Sequence, residues 1–229
     1  PERIHVTHEG VAPAFFDPPE DAVVDGLRRR HRLPERFILH VGTMEPRKNQ
    51  IGLLEAYHQL RSQARFSGLG LVLAGPPGWN NAPFMRAIRH SPYRDGIRLL
   101  GFVGDEDRRA LYRAAAVLGF PSFHEGFGLP PLEAMASGTP VVASCAGALG
   151  EIVGNAGILP DPYRPSEIAD ALAAVLDRLV EPEVAELAHE PLGVERPSFA
   201  VAGGPREQSL EAGELLGEVP HLRDLEVMP

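Results

Sequence analysis

Residues 117–143 read VLGFPSFHEGFGLPPLEAMASGTPVVA, and the order of apolar runs and turn residues in them decides the fold. Val117–Phe120 is a short apolar run that reads as a strand, and 139–143 is a second. Between them lie a glycine-containing loop, 121–128, and an apolar-rich segment, 129–137, that begins with two prolines after Leu129. Proline in a first helical turn removes no useful donor, because those N–H groups have no intrahelical partner, so 129–137 reads as a helix. Strand, helix and strand in that order make a crossover unit of a parallel sheet.

The same alternation continues outward on both sides. Upstream, 37–42 reads as a strand, and 49–63 as a helix with Leu53, Leu54, Tyr57 and Leu60 at helical spacing. A strand at 69–75, a helix at 84–90 and a strand at 97–101 follow. Residues 105–115 read as a helix with an acidic first turn, which its dipole favours. Downstream, 157–159 reads as a sixth strand and 165–179 as a helix. The expected fold is α/β, a doubly wound parallel sheet of Rossmann-like type over 37–180, with its ligand at the carboxyl ends of the strands. Two segments fall outside this rhythm. Residues 1–36 read as a leading segment, with a strand at Ile4-His5-Val6, a proline-rich bend at 13–19 and a helix at 20–31. Residues 181–229 read as an irregular acidic tail, weakly packed or partly disordered.

Composition narrows the functional classes. The chain has 229 residues, 44% hydrophobic and 23% charged, close to the globular average, so it can bury a core. Net charge is −9, and 181–229 holds eleven acids against three arginines, leaving the first 180 residues nearly neutral. Such a balance carries no basic footprint, so nucleic acid is not an expected partner. No apolar run approaches about 18 residues, so no spanning helix is expected. The opening Pro1-Glu2-Arg3-Ile4-His5 has no signal-peptide layout, which gives the expectation of a cytoplasmic protein, with peripheral membrane attachment left open. A single cysteine, Cys145, excludes an intrachain disulfide and a cysteine-rich metal site. Lys48 is the only lysine, against 21 arginines.

The 117–143 stretch also carries the chemistry. Gly126 and Gly128 let backbone amides approach a ligand, and the free amides and positive dipole of the following helix start form a seat for an anion, typically phosphate. Glu125 stands before that helix and Glu133 about one turn inside it, so both can face one crevice. Paired carboxylates beside a phosphate seat suit neutral hydroxyl donors such as a ribose and a hexose.

Glu125-(seven residues)-Glu133 within PSFHEGFGLPPLEAMASGTPVVAS resembles the E-x7-E motif of retaining GT-B glycosyltransferases, the glycosyl transferases group 1 family. GTMEPRKN is similar to that family's phosphate-binding segment, and GFVGDEDRRALYRAA to its nucleotide-base segment. The resemblance covers about Ile4 to Leu179. It implies the donor-binding, C-terminal half of a GT-B architecture, entered at the interdomain segment 4–18. The acceptor, a glycan, lipid or small molecule, would be held by an N-terminal domain outside this chain. It further implies that Glu125 contacts hydroxyls of the transferred sugar and that Glu133 binds the ribose. The amides of Phe127, Gly128 and Leu129 would approach the diphosphate and sugar beside Gly42, while Arg47 and Lys48 neutralise the departing diphosphate. Val103 and Gly104, with Arg108, would border the base. One departure stands out: many relatives place an arginine directly after the glycine matching Gly42, where this chain has Thr43, and Arg47 is the candidate to supply that charge.

The implied activity is hexosyl transfer with retention from a nucleotide diphosphate sugar, with no metal and no other cofactor. EPRKN with EGFGLP resembles mannosyl- and rhamnosyl-type members that use GDP-sugars. The alternative is a nucleotide-sugar-binding module inactive without a separate acceptor domain. An epimerase of similar architecture is a third reading, against which the E-x7-E segment argues. Elsewhere the residues read more plainly. Asp105-Glu106-Asp107 spells a D-x-D but reads as a helix cap plus first-turn acids. His124 reads as positional, Trp79 as a loop-anchoring aromatic rather than a stacking platform, and Cys145 as a small buried filler.

Overall fold

The computed structural model describes residues 9–179. Its strands are β1 (Phe37–Val41), β2 (Gly70–Ala74), β3 (Ile97–Gly101), β4 (Val117–Phe120) and β5 (Val141–Ala143). All pair in parallel, in the order β3-β2-β1-β4-β5. Every residue of β1, β2, β4 and β5 is buried, as strands covered on both faces must be, and this is why they read as unbroken apolar runs.

Among the described residues seven helices join and cover them: α1 (Asp21–His31), α2 (Gln50–Arg61), α3 (Ala82–Arg89), α4 (Asp105–Ala114), α5 (Leu129–Ala136), α6 (Leu149–Val153) and α7 (Pro165–Arg178). Alternation along each strand divides the interior into two cores. Ile38, Leu71, Leu73 and Val117 pack with Leu53 and Leu54 of α2, Ile88 of α3 and Leu172 of α7. Phe37, Leu39, Val72, Leu118 and Phe120 pack with Leu27 of α1, Leu111 of α4, Ala134 of α5 and Val153 of α6. The doubly wound sheet is therefore the one that the strand–helix alternation predicts.

The order of the strands adds what alternation cannot. From β1 the chain winds outward through β2 to β3, then returns across the sheet to lay β4 on the other side of β1. The loops leaving β1 and β4 diverge to opposite faces, and a crevice opens between them at the carboxyl ends, the place where such sheets bind ligands.

Three details differ from the sequence reading. The sixth strand reduces to a single parallel bridge, Val142 to Ile158. Helix α6 lies in a segment with no helical expectation, because five residues between glycines are too short for a 3.6-residue period to show. Helix α3 starts at Ala82, two residues early, with Pro83 in its first turn. The strand expected at Ile4-His5-Val6 and the tail 181–229 lie outside the described residues.

Candidate functional site

The loop after β1 is built rigidly. Gly42 leaves the strand at φ 149°, and the Met44 amide donates to the Pro76 carbonyl at 3.0 Å. Pro46–Lys48 then forms one turn of 3-10 helix, closed by Asn49 in the left-handed region at φ 53°. The Asn49 side chain ties three elements together: it accepts from the Gly52 amide at 3.2 Å and donates to the carbonyls of Pro121 at 3.0 Å and Pro162 at 2.7 Å. This cross-tie fixes Arg47 and Lys48 against the loop that leaves β4.

That loop brings Glu125 to them. Lys48 Nζ donates to Glu125 Oε1 at 2.7 Å and Arg47 Nη1 to Glu125 Oε2 at 2.9 Å. Arg47 also donates to the His124 carbonyl at 2.7 Å and, through Nη2, to Glu45 at 2.7 Å. Lys48 and Glu125 are buried, and the ammonium sits 4.9 Å from the centre of the Phe120 ring. Burial pushes the Glu125 carboxyl up, but Lys48, the adjacent Ser122 hydroxyl and Arg47 outweigh it and hold the group below the ordinary carboxylate range. It is a carboxylate at neutral pH.

Glu133 sits in a second cluster with the opposite balance. Its Oε2 accepts from the Tyr112 hydroxyl at 2.8 Å, and its Oε1 lies 3.2 Å from Arg108 Nη2. Burial raises its pKa beyond what Tyr112 and Arg108 recover, with the Asp105 charge adding to the rise. Burial raises the Tyr112 hydroxyl as well, reinforced by the Glu133 charge. Arg108 and Tyr112 are four residues apart in α4 and so share the face that meets α5.

Between the two glutamates in the chain lie Phe127, Gly128 and Leu129 at the start of α5. Gly128 takes the N-cap position at φ 114°, with no side-chain cap. Among the described residues the amides of Phe127, Gly128 and Leu129 make no hydrogen bond, so they are free to meet an anion. A loop from β5 buttresses this turn from behind: a side chain at Gly147, φ 64°, would come within 2.6 Å of the Glu125 carbonyl. On the far side, Gly104 takes the N-cap position of α4 and the half-buried Val103 packs on the core.

The structure thus joins Arg47, Lys48 and Glu125 in one cluster, beside Gly42, whose Cα faces the Lys48 stem. It joins Arg108 and Glu133 in another, next to Val103 and Gly104. The sequence reading missed Glu45, Tyr112 and His40. His40 is fully buried; its Nδ1 lies 3.0 Å from the Gly119 carbonyl and its Nε2 3.3 Å from the Gln50 amide. One polar residue inside the apolar run FILHV was the signal for it.

Three expectations are corrected. Cys145 is exposed rather than buried, because it lies past the end of β5. Trp79 is 64% exposed and does not anchor its loop. In the D-x-D segment the N-cap position belongs to Gly104; the acids occupy the first turn, where Asp105 pairs with Arg108 and Asp107 with Arg30. Among the described residues no helix is long and apolar enough to cross a membrane.

Comparison with known proteins places this geometry. The model of the family described as glycosyl transferases group 1 matches residues 27–186, which take in every residue of both clusters. The chain belongs to the glycosyl transferases group 1 family. Among its relatives, O-antigen chain mannosyltransferase B of Escherichia coli is 47% identical over 126 residues, 55% of this chain and 33% of that protein. MMP alpha-(1->4)-mannosyltransferase of Mycolicibacterium hassiacum is 38% identical over 181 residues, 79% of this chain and 40% of that protein. The chain therefore spans well under half the length of these curated relatives. Among solved structures, the C-terminal domain of a glycosyl transferase group 1 family protein from Francisella tularensis superposes with a TM-score of 0.64 at 25% identity, covering 80% of this chain and 92% of that one. The sheet described above is a GT-B-type glycosyltransferase domain, and its family transfers sugars.

Proposed function

We propose that this domain holds a nucleotide diphosphate sugar across the two clusters and acts as the donor half of a retaining hexosyl transfer, with a GDP-mannose-like donor favoured. The observation that carries the reading is the double ion pair of Glu125 with Arg47 and Lys48 beside the unpartnered amides of α5. In the free protein Glu125 neutralises the two cations. A diphosphate entering the crevice takes Arg47 and Lys48 together with the amides of Phe127, Gly128 and Leu129, and releases the carboxylate to accept hydrogen bonds from sugar hydroxyls. Glu133 accepts from the ribose, and Val103, Gly104 and Arg108 border the base.

The chemistry follows from the leaving group. A nucleoside diphosphate departs as an anion once its growing charge is met, and fixed cations and amides aimed at that charge do most of the stabilising. Glu125 is held ionised, so it does not protonate the departing oxygen, and the pair is not a glycosidase acid and nucleophile despite its form. The acceptor, a glycan, lipid or small molecule, approaches from a second domain. Arg47 and Lys48 supply the positive field that a metal would otherwise provide. A second reading is a nucleotide-sugar-binding module inactive without a separate acceptor domain.

Calorimetry of the 229-residue chain with GDP-, UDP- and ADP-sugars tests the reading. One of them should bind, with an affinity that a chelator leaves unchanged. Indifference to all three overturns the donor role, and affinity that collapses with chelator overturns the metal-free one.

A further inference from the structure

A groove of about 390 Å3 opens where the N-terminal ends of α2 and α3 meet the loop after β4, a size within the roughly 300–1,000 Å3 of small-ligand sites. The donor reading leaves it unused. Ile51, Phe123 and the edge of the largely buried Phe84 are among its apolar lining, and Glu45, Asn80 and Asn81 among its polar lining. The Phe123 ring stacks on Tyr163 with centroids 4.9 Å apart, and Tyr163 is 74% exposed. Asn81 stands at the N-cap position of α3 yet makes no cap hydrogen bond. Asparagine there ordinarily bonds the first-turn amides; here the residue lines the groove with its amide uncommitted to the cap. Asn80 holds the left-handed conformation at φ 49°, one residue after the exposed Trp79.

The charge balance narrows the ligand. Glu45 is the one charged residue lining the groove, and Arg47 engages its carboxylate at 2.7 Å. An anion would find no free cation, and a cation no free carboxylate. Aromatic faces take up the C–H face of a pyranose, and side-chain amides supply the paired donors and acceptors that hydroxyl groups need. The groove is also continuous with the donor cluster: Glu45 binds Arg47, Arg47 binds Glu125, and Phe123 is two residues from Glu125.

We infer that this groove is a subsite for a neutral oligosaccharide, holding the acceptor chain next to the sugar to be transferred; its role as an acceptor subsite rests on the donor reading above. Saturation-transfer NMR of the full chain, with mannotriose, maltotriose and N-acetylchitotriose as separate probes and with GDP and UDP, tests it. At least one trisaccharide should give signals that persist under saturating nucleoside diphosphate. Asn81→Ala and Ile51→Ala, both at residues that line the groove, should each weaken that trisaccharide by about tenfold, the equivalent of one lost contact, with nucleotide signals unchanged. Trisaccharide signals absent from a chain that binds nucleotide, or unaltered in both variants, overturn the inference. So does a loss of nucleotide signal in those variants, which would make the groove a base pocket. A chain that binds the trisaccharide in the groove but no nucleotide keeps the subsite and sinks the donor reading instead.

Discussion

Glu125 and Glu133 differ in their partners before any ligand arrives, and the difference predicts separable losses. If Glu133 accepts from the ribose as proposed, Glu133→Ala should weaken nucleoside diphosphate and nucleotide sugar alike, by about 1.5–3 kcal/mol or roughly ten- to a hundredfold. Glu125→Ala should leave nucleoside diphosphate binding unchanged or tighter, because Arg47 and Lys48 lose a competing anion. Only the increment due to the sugar should fall. Titrating both variants with both ligands checks this, and equal weakening by Glu125→Ala would overturn the assignment. His40 predicts a pH effect. Burial, aided by the Lys48 charge and opposed by the Gly119 hydrogen bond, lowers its pKa from 6.5 to about 4. The unfolded chain then binds more protons between those values, so the stability that neutral His40 contributes is complete above pH 6.5 and is lost as pH falls toward 4, on the order of 3 kcal/mol. Glu125, with its lowered pKa, adds a loss on further acidification; Glu133, raised, acts in the opposite sense. Urea unfolding of wild type and His40→Asn at pH 7 and 4.5 should show a shallower pH dependence in the variant.

At the scale of elements, glycine positions discriminate between strain and slack. Gly147→Ala places a methyl group 2.6 Å from the Glu125 carbonyl in a backbone conformation at φ 64° and should cost about 1–3 kcal/mol. Gly26, in the middle of α1, has open space where a side chain would go. Gly26→Ala should therefore stabilise by about 0.5–1 kcal/mol through helix propensity alone. Thermal melts of the two variants should move in opposite directions. The same contrast explains how much was legible in advance. FILHV and GLVLA announce buried strands because a strand covered on both faces must be apolar throughout, and the acids of Asp105–Asp107 announce a helix start through the dipole. The sequence positions of Glu125 and Glu133 around a helix start marked both as candidates, and the structure sets each in a cluster of polar side chains. Their opposite pKa shifts were not legible, since these depend on the burial of Glu133 and on Lys48 reaching Glu125 across 77 residues of chain. Nor was the groove, whose walls are brought together from the loop after β1, the starts of α2 and α3 and the loop after β4.

For the whole molecule, the return of the chain from β3 to β4 is what assembles the site, because it sets the loops after β1 and β4 side by side. On the proposed reading this domain supplies the donor site and the neighbouring groove, and the rest of the acceptor's contacts come from a second domain. The isolated chain should bind its nucleotide sugar without measurable glycosyl transfer, and transfer should appear when the complementary half of a relative is supplied in trans. Rapid transfer by the isolated chain to a free sugar acceptor would show that this domain suffices. The burial of Lys48 has a further, practical consequence. Because the chain has no other lysine, the one ε-amine available to acylating or aldehyde reagents lies inside the crevice, hydrogen-bonded to Glu125. Apart from the terminal amine, covalent labelling is confined to a single reporter atom, whose protection by a bound molecule can be read by intact-mass spectrometry without mutation or tag.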